Sequence, residues 1–195
     1  MTRGRPLNFS PHQATSAAMQ VFWAQGYNSA STRDLLNAMQ ISRSSLYQAY
    51  GNKEQLFLEA LRHYRDHLLE RLEKRSKEAP SALAFIESLF LDTAAEAGSD
   101  RAALGCLIFN SASELGQQEG LAAEEARRSL DAITALFREA VTAAQHQGEI
   151  DVQLDPQVLA TYLTMGMAGL RALLKSTHDR TATESAARLF LASLR

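Results

Sequence analysis

Apolar residues recur along most of the chain at intervals of three and four, the spacing of a helix with one buried face. No stretch sustains the period-two alternation of a half-buried strand, and β-branched residues are sparse. Punctuation divides this helical pattern. Ser10-Pro11 has the form of an N-cap followed by proline at the first helical position, opening a helix to about Gln25 with Ala14, Ala18, Val21 and Phe22 on its apolar face. Gly26 stops it. Ser31 to Asp34 is a capping box, with Asp in place of the usual Glu or Gln, and begins a short helix to about Met39. Ser42 caps a second short helix through Tyr50, and Gly51-Asn52 breaks the chain before a long helix from Lys53 to about Ser76. Beyond Pro80 the pattern predicts helices near 80–97, 104–116, 120–147, 156–176 and 182–194. The fold class is therefore all-α, about nine helices in all.

Charge sharpens this picture. The chain of 195 residues has a formal net charge of −2, yet residues 1–53 carry Arg3, Arg5, Arg33, Arg43 and Lys53 against Asp34 alone. A basic N-terminal third on an acidic remainder suits a polyanion-binding head joined to a body of another purpose. Arg3-Gly4-Arg5-Pro6 has no apolar neighbour to pack it and is either a solvated tail or an arm for the DNA minor groove, whose negative potential attracts arginine. The single cysteine, Cys106, excludes an intramolecular disulfide and fits a reducing compartment. The uncharged stretch from Pro156 to Leu170 is shorter than the roughly 20 residues a bilayer requires. A cytoplasmic protein with no membrane partner is expected.

The informative block runs from Ser31 to Phe57. Two capped helices of two turns, separated by a tight turn at Met39–Ile41, outline a helix-turn-helix. In that arrangement the second helix meets base edges in the major groove. Here it presents Ser42, Arg43, Ser44, Ser45, Tyr47 and Gln48, while Leu35, Leu36, Ile41 and Leu46 point inward. Small hydroxyls admit close approach, Gln48 suits a base and Tyr47 a phosphate.

Over residues 9–58 the chain resembles the N-terminal domain of the tetracycline-repressor (TetR) family of bacterial regulators. The features are Gly26-Tyr27 at the end of the first helix, the entry Thr32-Arg33-Asp34-Leu35, and Ser42, Leu46, Tyr47, Tyr50, Lys53 and Leu56 at the family's spacing. The resemblance implies that Thr32, Arg33 and the helix from residue 42 to 48 face DNA, with Tyr47 and Lys53 on phosphates. It also favours the arm reading of Arg3 and Arg5. Three positions depart from the family pattern. Met39-Gln40 replaces a common Ala-Gly in the turn, at a cost of about 1 kcal/mol if Gln40 is left-handed. Ala49 stands where Tyr or His is frequent, and Tyr50 stands where Phe is frequent.

The implied organisation is a DNA-binding domain over 1–53 with its basic arm, and an α-helical regulatory and dimerisation domain over 54–195. The partners implied are double-stranded DNA carrying an inverted-repeat operator, a second copy of the chain through helices near 156–176 and 182–194, and a small-molecule effector. In 156–176, Leu159, Tyr162, Leu163, Gly166, Gly169, Leu170 and Leu173 form a broad apolar surface, and Gly166 and Gly169 permit close helix approach. On the long helix, Phe57, Leu61, Tyr64, Leu68 and Leu72 are expected to pack on the regulatory core.

Effector contacts are expected among Tyr64, Phe85, Leu89, Phe109, Phe137, Tyr162 and Met165, with Asn110, Ser113 and Glu114 as orienting polar groups. Each of these positions has plain core packing as its alternative. Cys106, following Gly105 at a helix entry, is either a thiolate sensor of oxidants and electrophiles, helped by a cation such as Arg101 or Lys175, or a small buried hydrophobe. His63 and His67 stand four apart with Glu59 nearby, a pattern more often solvated than metal-binding. No cofactor or metal is expected. With no Gly-rich phosphate loop and no Ser/His/Asp set, an enzyme is the alternative from a different class.

Overall fold

The caps anticipated from sequence are made by hydrogen bonds in the computed structural model, which describes residues 10–194. Ser10 accepts from Gln13 N and Pro11 occupies the first turn, so α1 spans Pro11–Gln25 and ends at Gly26, whose φ of 81° suits glycine. In α2 (Thr32–Met39) the capping box is complete: Asp34 N donates to Ser31 Oγ at 3.1 Å and Ser31 N donates to Asp34 Oδ2 at 3.3 Å. Helix α3 (Arg43–Tyr50) is capped by Ser42, which accepts from Ser45 N at 3.1 Å. The remaining helices are α4 (Lys53–Glu78), α5 (Ala82–Ala95), α6 (Asp100–Leu104), α7 (Leu107–Leu115), α8 (Leu121–His146), α9 (Pro156–Leu173) and α10 (Arg180–Leu191), followed by a 3-10 turn over Ala192–Leu194. No strand occurs among the described residues. The five-residue α6 lies where the sequence reads as connection. Ser99 caps it, but one turn is too short for a helical period to register.

The chain forms two compact units, and α4, α7 and α8 each run through both. Among the described residues, the first comprises 10–66 and 110–129. Its core is Ala18, Phe22, Leu35, Leu46, Leu56, Phe57 and Leu61, all 1% exposed or less. Phe57 meets Phe22 edge-on at 5.1 Å and Tyr27 at 4.8 Å. Of the four residues expected to hold α2 on α3, Leu35 and Leu46 are fully buried, whereas Leu36 and Ile41 are half-buried because they lie at the margin of this small core. Tyr50 uses the hydroxyl that distinguishes it from Phe: it pairs with Thr15 Oγ1 at 3.0 Å and donates to Pro11 O at 3.2 Å.

The second unit comprises 67–109 and 130–194. Phe85, Ile86, Phe90, Phe137, Val141 and Leu163 fill its core. The first amides of α5 are met from the turn after α8: Ala82 N donates to Gln147 Oε1 at 2.8 Å and Leu83 N to Glu149 Oε2 at 3.0 Å. Arg171 on α9 reaches α5, donating to Thr93 Oγ1 at 3.1 Å and to Glu96 Oε2 at 2.5 Å. Gly166 gives α10 its close approach: a Cβ there would lie 2.2 Å from the Phe190 ring, which stacks on Tyr162 at 4.2 Å. Gly166 thus permits close helix approach, here between two helices of the same subunit. Leu159 and Leu163 are likewise buried within it. No helix among the described residues is long and apolar enough to cross a membrane.

Candidate nucleic-acid interface

Helix α3 presents a polar face because Leu46, its one aliphatic residue larger than alanine, turns inward. Leu46 is buried at 1% exposure, while Ser42, Arg43, Ser44, Tyr47 and Gln48 are exposed and Ser45 is half-buried. Ser42 Oγ lies 2.8 Å from Ser44 Oγ and 2.9 Å from Ser45 Oγ, so three hydroxyls cluster at the N-terminal end of the helix. That end also carries the positive pole of the helix dipole, which favours an anion. Arg33 is exposed and Thr32 half-buried at the start of α2. Gln40, between the two helices, has φ 54° and ψ 41°, the left-handed conformation. Its side-chain Nε2 donates to Asn37 O at 2.5 Å, offsetting part of the strain. Arg3 and Arg5 lie outside the described residues.

Lys53 is held in place. Its Nζ sits 4.9 Å from the centre of the Tyr27 ring and donates to Asn28 O at 3.4 Å. Burial lowers its pKa from the ordinary lysine value, and the Glu114 carboxylate opposes that shift. The neighbouring Tyr27 hydroxyl is raised, by burial first and then by Glu54 and Glu114.

The loop that holds Lys53 is itself clamped from far along the sequence. Glu114, on α7, accepts from Tyr27 N at 2.9 Å and from Asn28 N at 2.7 Å. Gly26 leaves room for the carboxylate, since a Cβ there would lie 2.8 Å from Glu114 Oε2. Glu114 is therefore committed to the backbone after α1, a correction to its expected place beside an effector. Three further bonds anchor α8 in this unit. Ala122 N donates to Glu54 Oε1 at 3.3 Å, and the buried Glu125 carboxylate takes Arg62 Nε at 2.9 Å and Arg65 NH1 at 2.7 Å. These carboxylates carry no sequence signal, because their partners lie 60 or more residues away.

The residues expected at an effector site have varied surroundings. In the first unit, Tyr64 packs edge-on against Trp23 at 5.1 Å, Asn110 is half-buried and Ser113 is exposed. In the second, Phe85, Leu89 and Phe137 are buried, Phe109 is half-buried, and the Tyr162 hydroxyl donates to Phe190 O at 3.2 Å. Met165 is 68% exposed on α9. Phe85 floors a groove of about 460 Å³ between α4 and α8, whose walls include Leu69, Glu73, Lys77, Leu136 and Glu139. Sequence reasoning missed these wall residues, since they fall on helix faces that read as solvated. Cys106 is buried, immediately before the first residue of α7 and after Gly105 at φ 68°.

An outward apolar stripe runs along α9 and α10. Val158, Met165 and Leu173 are exposed on α9, Leu189 is 77% exposed on α10, and a Cβ on Gly169 would meet nothing within 4 Å.

Comparison with known proteins places this geometry. The family described as "Bacterial regulatory proteins, tetR family" matches residues 14–60, and "Tetracyclin repressor-like, C-terminal domain" matches residues 82–190. A curated relative, the uncharacterised HTH-type transcriptional regulator YezE of Bacillus subtilis, is 29% identical over 177 residues, covering 90% of this chain and 91% of its own. The HTH-type transcriptional repressor ComR of Escherichia coli is 29% identical over 173 residues, covering 87% and 81%. Among solved structures, a cysteine mutant of the TetR family transcriptional regulator CifR, complexed with 26-base-pair operator DNA, is 30% identical with a TM-score of 0.83, covering 98% of this chain and 100% of that one. The chain belongs to the tetracycline-repressor family and is a DNA-binding transcriptional regulator, not an enzyme.

Proposed function

We propose that the chain represses transcription by binding an inverted-repeat operator as a homodimer, and that a small molecule or electrophile acting on the second unit releases it. The observation that carries this reading is the exposed Ser42–Gln48 face of α3, held at a fixed angle by two capped helices. Ser44, Tyr47 and Gln48 are assigned to the major groove and its flanking phosphates, Arg43 and Lys53 to phosphates, and Arg3 and Arg5 to the adjacent minor groove. Thr32 and Arg33 contact the backbone from the start of α2. One two-turn helix reads few base pairs, so a two-fold pair supplies both affinity and specificity. The outward stripe of Val158, Met165, Leu173 and Leu189 suits the partner subunit, because apolar side chains so exposed gain by being covered. Division into a DNA-binding domain over 1–53 and a regulatory domain over 54–195 follows from these roles.

Cys106 supports the electrophile arm of this reading by its position. An adduct on a buried thiol at the very start of α7 displaces that helix, and Glu114 on the same helix holds the turn after α1. The test is selection of DNA fragments by the purified protein, then titration of the selected sequence with wild type and Cys106→Ser, with and without a quinone. Operator binding released in wild type alone supports the cysteine route. Equal response of both proteins assigns release to a non-covalent effector, and absence of a selected sequence refutes operator recognition.

A further inference from the structure

We propose that the turn between α8 and α9 is a docking element for a second copy of this chain, with Val152 and Leu154 extending the outward stripe of α9 beyond the helix. The inference rests on the dimer reading of that stripe. Val152 is 66% exposed and Leu154 40%, yet the backbone that carries them is firmly held. Gln145, buried in the last turn of α8, donates through Nε2 to Asp151 O at 2.9 Å and to Leu154 O at 2.7 Å, using both hydrogens of its amide. Leu154 N donates to Asp151 O at 3.2 Å, and Gln153 N donates to Asp151 Oδ1 at 2.9 Å. On one side of the turn Ile150 is buried, and Gln147 and Glu149 accept from the first amides of α5. On the other, Asp155 Oδ1 accepts from Gln157 N at 2.7 Å and Val158 N at 3.1 Å, starting α9.

A buried amide bonded to two carbonyls of one turn fixes that turn, and the fixed turn keeps two apolar side chains in water. Singly scattered apolar residues at a surface need no explanation, but these two lead directly into Val158, itself 65% exposed in the first turn of α9. From Val158, spacings of seven, four and four reach Met165, Gly169 and Leu173, so the four share one side of the helix. The turn therefore continues a face already assigned to the partner subunit, and that continuity selects the occupant. Asp151 and Asp155 flank the tip, which disfavours a nucleic acid or an anionic membrane in its place. A turn already rigid loses little freedom on docking, and two-fold symmetry makes the contact twice in each dimer.

The experiment is sedimentation of the full chain over a dilution series, with circular dichroism to check helical content. Val152→Glu with Leu154→Glu should raise the dimer dissociation constant at least about tenfold, and the uncharged pair Val152→Ser with Leu154→Ser at least about threefold. Should the glutamate pair not fold, the serine pair decides the matter. Dimers of wild-type strength in the serine pair overturn the proposal; if Met165→Glu with Leu189→Glu is then monomeric, the stripe stands without the turn. A wild-type chain that stays monomeric at every concentration overturns both the stripe reading and this extension of it.

Discussion

Replacing Glu114 by alanine removes two charge-assisted hydrogen bonds at once, to Tyr27 N at 2.9 Å and Asn28 N at 2.7 Å. Bonds to charged groups contribute about 1.5–3 kcal/mol each, and the lower value applies because Asn28 is exposed and water replaces part of what is lost. Glu114→Ala should therefore destabilise the first unit by about 2–3 kcal/mol, equivalent to roughly 5–10 °C in Tm for a chain of this size. Glu114→Gln keeps one acceptor but turns an amide donor toward the second N–H, so it should recover no more than about half of that loss. The assay is built in: Trp23, the one tryptophan of the chain, lies in α1 within this unit, and its fluorescence during urea unfolding reports that unit. With the turn after α1 released, Lys53 also loses its fixed bearing on Tyr27 and Asn28, and operator affinity should fall about tenfold. A Glu114→Ala protein within 0.5 kcal/mol of wild type, or a Gln variant equal to it, would refute the clamp.

Further substitutions separate the other roles. Gln40→Gly should shift stability in urea by less than about 0.5 kcal/mol with unchanged m, because relief of strain at φ 54° is offset by the lost bond to Asn37 O and by glycine's looser unfolded chain. Lys53→Ala should weaken binding to all sequences alike and reduce the salt slope of log K by about one charge, whereas Gln48→Ala should cost about 1–3 kcal/mol at one base position and leave the slope intact. Met165→Glu with Leu189→Glu places charges on the exposed stripe of α9 and α10; sedimentation should find monomers with ordinary helical content, and dimers of wild-type strength would sink that assignment.

The first four helices were legible because their ends are written in neighbouring residues: Ser10-Pro11, Ser31 with Asp34, Ser42, and Gly51-Asn52 act over three or four positions, and each behaves in the fold as its chemistry dictates. The exposed polar face of α3 was legible for a similar reason, since a polar run directly after a cap has no other way to be arranged on a two-turn helix. Helix α9 marks where such reading stops. It is apolar nearly all round, so period alone does not separate Leu159 and Leu163, which are buried, from Val158, Met165 and Leu173, which are exposed. Gly166 and Gly169 read alike, yet one lies under Phe190 and the other faces open space. Glu114 lies further out of reach. Its carboxylate acts 86 and 87 residues away on backbone amides, which have no side-chain identity for a sequence pattern to register. A contact of that kind can change through evolution without altering any recognisable motif. Coupling between α7 and the head thus rests on the least legible class of interaction in the chain, and mutation of the clamp is a sharper test of regulation than mutation of the readable recognition helix.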